Sequence, residues 1–475
     1  MLTGFFFVIP AIAFGLMFLP WQRTREWVAV AAAVLVMLLW VGSIVFPGFT
    51  AAGFYAGAGG LDRLSLVITG IVAVVGLTAI LYSTGYLNFS ADRYALSNQR
   101  HSQYFKLLML FYATMLWVPL VHNVIWLWVL IEATSLAAVF LVDFESNRQT
   151  VEATWKYIVM MEVGGAASLL GTLIFIVGAG PHLTWELLLN NGAAMPVLWR
   201  KLGFTLIVVG YGIKAGLVPL HTWLPDAHSQ APSPISAMMS GIKINVALYG
   251  ILRFYDVMAA AGQQEFAALL LRSVGLLTVI VAVAMTGVQR DYKRLFAYSS
   301  TENMGLILLG YTLGPLGVYG ALLQMINHAV IKPGLFYLSG NLIINHATTE
   351  IKKVRGVFYS LKWSGIILIL LMLAIAGAPP FGLFISELLI LLGAFNGGFT
   401  WLGITLVIFL AILFANFLRY ALNMVFGRPS ANPGNGATVQ ENWRTVVPPL
   451  VHLLVSLTMG TILPVFLQQM LYFGK

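Results

Sequence analysis

No cysteine occurs in the chain, so it cannot build an iron–sulfur cluster, a thiolate zinc site or a disulfide. Any redox chemistry linked to it belongs to other polypeptides. Charge is scarce too: Asp, Glu, Lys and Arg make up 9% of 475 residues, against about 25% in ordinary soluble domains. That scarcity excludes a water-exposed globule. Gly-rich phosphate loops, nucleophile elbows and nucleic-acid modules are missing, and the apolar segments do not alternate every second residue, which argues against a membrane barrel. The start, MLTGFFFVIPAIAFGLMFLP, lacks a basic flank and a clear cleavage site. It reads as a first spanning helix rather than a removed leader.

What the chain has instead is hydrocarbon-matching length. Hydrophobic residues make up 59% and mean hydropathy is +0.88. Apolar runs of about 18–25 residues suit helices crossing about 30 Å of hydrocarbon. The expectation is an all-α polytopic membrane protein with about fourteen transmembrane helices. The net charge of +9 is not a nucleic-acid signal, because its excess lies in short loops. One set of alternate loops collects Arg23, Arg25, Arg93, Arg100, Lys106, Arg148, Arg290, Lys293, Arg294, Lys352, Lys353, Arg419 and Arg444 among others. The other set holds only Arg63, Arg200, Lys201, Arg253, Arg272 and Lys475. The positive-inside rule then puts the basic loops in the cytoplasm of a bacterial or archaeal cell and both termini outside.

Two spans are interrupted by proline: the seventh at Pro219 and Pro225, the twelfth at Pro379-Pro380-Phe381-Gly382. Proline removes a helical hydrogen bond and clashes with the preceding turn, so both read as broken helices. Broken helices five spans apart point to two inverted five-helix repeats with ion sites at the breaks. The expected organisation is residues 1–103 for helices 1–3, 104–256 for the first repeat (helices 4–8), 266–423 for the second (helices 9–13), and 424–475 for a loop and a final helix.

Glu132, Lys214, Lys243 and Lys332 each interrupt a long apolar stretch. A charge at mid-bilayer costs at least about 2.5–3.5 kcal/mol, so such residues normally face a watery interior and line an ion or proton path. Desolvation penalises a charged carboxyl and a nearby cation rewards it, and a group balanced between the two can exchange protons near neutral pH. Glu132 suits that role with Lys214 as its counter-charge; a hydrogen-bonded structural glutamate and a lysine reaching to the interface are the plainer readings. Lys243 and Asn245 lie two residues apart, about 200° around a helix, and cannot both face one channel. His328 and Lys332 share a helical face, and histidine titrates near physiological pH. Glu387 follows the second break. His221, Asp226 and His228 flank the first, either as a proton inlet or as a polar loop that satisfies freed backbone groups. Their spacing fits no standard zinc pattern. Glu162 extends the Glu132 network in this reading, with Lys156 as its partner or as an interfacial anchor.

The stretches GIKAGLVPLHTWLPDAHSQAPSPISAMMSGIKINVALYGILRF and QRDYKRLFAYSSTENMGLILLG resemble the antiporter-like proton-translocating subunits of respiratory complex I and its relatives, over about residues 60–425. Together with KRLFAYSSTENMG, IEATSLAAVFLVDF and VEATWKYIVM resemble most the hydrogenase-4 component F type, found with membrane-bound nickel–iron hydrogenases. The resemblance implies that Glu132 and Lys214 are the glutamate of helix five and the lysine of helix seven. It implies that His328 and Lys332 lie on a polar axis crossing to the second half-channel, and that Glu387 is the exit residue on helix twelve. Asn245 falls in the slot of the central lysine, with Lys243 two residues upstream.

The function these features lead to expect is proton translocation by a non-catalytic membrane subunit of a redox complex. The chain itself would carry no cofactor. Partner membrane subunits and a peripheral redox arm would hold iron–sulfur clusters, with a nickel–iron centre or quinone. A subunit of a multisubunit sodium/proton antiporter and the membrane half of a proton-driven bicarbonate-uptake complex are the alternatives.

Overall fold

A computed structural model describes residues 2–19, 22–45, 62–94, 97–179, 184–428 and 441–463. These residues are helical, with no strand among them; two isolated bridges, Asn123 with Thr184 and Asp291 with Glu350, are the only β contacts. Helix is what the sequence dictates, because lipid offers backbone groups no hydrogen bonds and each span must satisfy its own. Seven of the described helices are long and apolar enough to cross a membrane. Several shorter ones pair end to end around interruptions.

In chain order, α1 (Leu2–Leu16), α2 (Gln22–Val45) and α3 (Arg63–Tyr94) come first. They are followed by α4 (Asn98–Trp117), α5 (Val124–Val142), α6 (Arg148–Ala179), short α7 (Trp185–Asn191) and α8 (Val197–Ala215). After an interruption come α9 (Trp223–Gln230), α10 (Ser233–Met238) and α11 (Ile244–Ala260), the last two joined by a π-helical turn, Met239–Lys243. Next are α12 (Gln264–Thr286), α13 (Tyr292–Tyr311), α14 (Gly314–His346), short α15 (Val357–Ser360) and α16 (Lys362–Ile375). After a second interruption, α17 (Gly382–Asn396), α18 (Thr400–Phe426) and α19 (Trp443–Thr461) complete the described chain. Lys475, most of the polar loop 427–444 and the end of the expected last span lie outside the described residues.

The two interruptions are built alike. α8 ends at Gly216 and α16 just before Gly377, each glycine at a φ of 74°, a conformation that side chains rarely tolerate. Each glycine precedes, by the same interval, a proline in a cis peptide bond, Pro219 and Pro380. Pro225, expected to extend the first break, instead sits in the first turn of α9, where its missing N–H has no intrahelical acceptor to lose. Pro333 likewise lies inside an unbroken α14.

Burial grades from centre to rim. The heart of Ser233–Ala260 is wholly interior, whereas little of Thr400–Phe426 is buried. α14 is the hub, packed on α3, α10, α13, α16, α17 and α19. The tightest pairing joins α6 to α8 through a glycine seam. A side chain at Gly164 would meet the Gly210 carbonyl, and one at Gly171 the Gly203 carbonyl. Small residues let two backbones touch, the usual device where hydrophobicity cannot drive helices together. This seam holds α8, and hence Lys214, against α6 beside α5.

Candidate functional site

The α5–α6–α8 contact brings Glu132 and Lys214 together. Lys214 Nζ donates to Glu132 Oε2 at 2.8 Å, and also to the Met161 carbonyl at 3.2 Å and Ser135 Oγ at 3.4 Å. The lysine side chain is 1% exposed and the glutamate 13%, so this is an interior ion pair. Gly165 of α6 lies directly under the carboxylate, where a Cβ would collide with it. Glu132 Oε1 has no protein partner.

Met161 links this pair to the next cation. Lys243 Nζ lies 3.4 Å from Met161 Sδ and faces the rings of Tyr157 and Trp223 at 5.0 and 4.9 Å. Cation–π attraction partly replaces the missing carboxylate. The π turn that ends at Lys243 adds a residue to the helix there and re-aims the side chain, a frequent role of such bulges. Asn245 folds back on its own helix, donating to the Gly241 carbonyl at 2.8 Å. Lys243 and Asn245 thus face apart, as the rotation between them requires.

Beyond Lys243 the buried groups continue toward α14. His228 lies within the fields of Lys243, Lys293 and Lys332. Expected at the edge of a break, it is instead fully buried in α9 and stacked on Phe336 at 4.8 Å. His328 lies within the fields of Lys332 and His228. Neither imidazole has a hydrogen-bond partner in the protein. Lys332 donates to the Phe296 carbonyl at 2.6 Å and to Ser299 Oγ at 2.7 Å.

The path to Glu387 runs through a residue the sequence reading did not single out. Glu302 of α13 is fully buried and lies within the fields of Lys332 and Glu387. Asn303 Nδ2 donates to Glu302 Oε2 at 2.7 Å, Gln324 Nε2 to Asn303 Oδ1 at 2.8 Å, and Ser386 Oγ to Gln324 Oε1 at 2.5 Å. This bonded series ends at Ser386, the residue before Glu387. Glu387 rests on Gly377 as Glu132 rests on Gly165. The signal for Glu302 was present: an acid in the middle of an apolar span, hidden by the polar run SSTEN around it. Asp256, in the last turns of α11, accepts from the Tyr311 hydroxyl at 3.3 Å and was not singled out either.

Two expected positions are corrected. Glu162 lies on the exposed face of α6 and makes no hydrogen bond to Glu132; it reaches the pair only through its field at Lys214. Lys156 pairs not with Glu162 but with Glu152 at 2.9 Å and Asp226 at 3.0 Å. Asp226 also holds Arg294, so it ties α9 to α6 and α13. His221 leans edge-on against Tyr298, ring centres 5.9 Å apart. Among the described residues no three His, Asp or Glu side chains group to hold a metal ion.

Residues 121–414 match the family described as NADH:quinone oxidoreductase/Mrp antiporter, transmembrane. The chain is 34% identical to a hydrogenase-4 component F homolog of Methylacidiphilum infernorum, over 85% of each protein. It is 29% identical to NADH-quinone oxidoreductase subunit N of Desulforudis audaxviator, over 79% of this chain and 74% of that one. It is also 29% identical to hydrogenase-4 component B of Escherichia coli, spanning 69% of this chain but only 49% of that longer protein. In fold it is similar to a chain of an archaeal membrane-bound sulfane sulfur reductase (TM-score 0.85, 23% identity, 98% and 96% covered). A chain of the Mrp complex from Dietzia (TM-score 0.84, 18% identity, 99% and 96% covered) is similar as well.

Proposed function

The chain belongs to the NADH:quinone oxidoreductase/Mrp antiporter transmembrane family, and from that premise we propose that it is a proton-translocating membrane subunit of a multisubunit redox complex. It is a multi-pass membrane protein whose relatives of like fold sit in multisubunit membrane complexes, so further membrane subunits are its partners. A peripheral arm carries the redox centres in this reading. The basic loops face the cytoplasm.

The observation that carries the proposal is the series of buried titratable side chains between the Glu132–Lys214 pair and Glu387. A stability device would not look like this, since buried charges add little net stability and unpartnered ones subtract from it. Glu132 Oε1, both nitrogens of His228 and His328, Asn245 Oδ1, Glu302 Oε1 and Glu387 Oε1 lack protein partners. Buried polar atoms of that kind are normally satisfied by water, and the spaces between the side chains are where water would relay protons. In the mechanism, separation and rejoining of Glu132 and Lys214 changes the field at Lys243. The proton on Lys243 passes by His228 and His328 to Lys332, then to Glu302, and by water beside the Asn303 and Gln324 amides to Glu387. We assign the central relay to Lys243 rather than Asn245, because Lys243 alone shares Met161 with Lys214. These are coupled titrations of one network.

Two inverted repeats within about fourteen spans are part of the same reading. Their support is internal. α5 and α13 both start at side-chain caps, Asn123 and Asp291, and each cap residue bridges to the segment that follows the next long helix, at Thr184 and Glu350. Each long helix leads to a short helix, then to one ending at the left-handed glycine and the proline break. On that register Asp226 and Glu387 are counterparts, each the same interval past its glycine. The units are then residues 104–256 and 266–423, flanked by 1–103 and 424–475.

The test is proton flux in vesicles holding the intact complex. Glu132→Gln or Lys214→Ala should leave it assembled and redox-active but unable to acidify the lumen. Normal pumping by either variant overturns the assignment. Likeness to the Mrp chain favours a second reading, sodium/proton exchange, which predicts flux driven by a sodium gradient without redox turnover.

A further inference from the structure

Away from the polar axis, a groove of about 750 Å³ opens on the outer surface between α1, α4, α5 and α6. Its mouth lies at the basic-loop end, where Arg100 and Lys106 of α4 line it with Gln103. Neither cation has a carboxylate partner among the described residues. Lys106 lies over the Phe18 ring at 4.5 Å. The one acid in the lining, Asp143, already accepts from the Thr150 hydroxyl at 3.0 Å. The N-terminal turn of α6 borders the same mouth through Val151, and its dipole adds positive potential.

Below the mouth the walls turn apolar, with Phe14, Leu110, Phe140 and Ile158. From Arg100 to Leu110 is about 15 Å along a helix, the depth of one leaflet of a hydrocarbon core about 30 Å thick. Thr154 lines the groove between these levels; it is 8% exposed and its hydroxyl has no hydrogen-bond partner.

We propose that this groove is a binding site for one anionic phospholipid of the basic-loop leaflet, its phosphate held by Arg100 and Lys106 and an acyl chain lying along Leu110 and Phe140. Paired cations over an apolar slot are the pattern by which membrane proteins hold acidic headgroups. A neutral isoprenoid tail would leave both cations uncompensated. A transmembrane helix of another subunit would have to bring an acid to the same spot.

The test is native mass spectrometry of the full chain with its co-purifying subunits, extracted gently and titrated with phosphatidylglycerol, phosphatidylcholine or inorganic phosphate. Wild type should retain phosphatidylglycerol at least tenfold over phosphatidylcholine, with no competition by phosphate at equal concentration. Arg100→Gln with Lys106→Gln should abolish the preference, whereas Lys352→Gln with Lys362→Gln, an equal charge change elsewhere, should not. Leu110→Trp fills the slot with the cations intact and should also lower retention at least tenfold. Wild-type retention of phosphatidylglycerol by either the Arg100/Lys106 or the Leu110 variant overturns the proposal. So does displacement by phosphate alone, or a photo-crosslinker at Phe140 that captures a protein subunit instead of lipid.

Discussion

Replacing Glu132 by Gln and Lys214 by Met, singly and together, tests whether the 2.8 Å contact is a true interior ion pair. At that separation and an effective dielectric of about 20, the attraction is about 6 kcal/mol. Desolvation of both groups offsets most of it, which is why such pairs contribute little as a whole. Removing one partner is different, because the survivor stays buried without its counter-charge. In Glu132→Gln, Lys214 keeps only Ser135 Oγ and the Met161 carbonyl; in Lys214→Met, a carboxylate faces Met161 and Gly165. Each single substitution should destabilise by about 3–5 kcal/mol. The double variant should cost no more than one of them, a coupling of about 3 kcal/mol or more, at the upper end of the usual pairwise range of about 0.5–3. Reversible denaturant unfolding in mixed micelles, followed by tryptophan fluorescence, measures all four corners. Additive single effects would show that the two side chains do not feel each other, and the switch at the head of the axis would be lost with them.

Three further outcomes are expected. Lys243→Met preserves volume and the packing on Tyr157 and Trp223; proton flux in vesicles should fall at least tenfold while the melting temperature stays equal or rises, since an unpaired buried charge has been removed. Glu302→Gln keeps the Asn303 contact but not the exchangeable proton, so flux should fall by a comparable factor with assembly unchanged on native gels. Gly165→Ala pushes a methyl into the Glu132 carboxylate; flux should drop although neither charged residue has changed, and an unaltered rate would mean that the carboxylate is not held in place.

Much of this was legible in the sequence, and the misses share a physical cause. Glu132, Lys214, Lys243 and Lys332 stood out because charge in lipid is costly, and the structure assembles all of them in the interior. Which way a residue faces was harder to read. A helix apolar on every side carries no periodic stripe to orient it, so Glu162 gave no sign of lying on the outer face of α6. Pro225 looked like a helix breaker because proline's effect depends on its position in the turn, which local composition does not reveal. His228 looked like loop because its neighbours are polar, and only the packing of α9 on α6 and α13, with Phe336 of α14 against the ring, encloses it. The π turn before Lys243 has no sequence signature at all.

The glycine seam between α6 and α8 has a bearing on what can move. With Gly164 against Gly210 and Gly171 against Gly203, the two cylinders leave no clearance to slide or roll without main-chain collision. They therefore travel as one rigid rod pair. Under the proposed function, charge passing between Glu132 and Lys214 is then carried by side chains and protons, not by one of these helices slipping along the other.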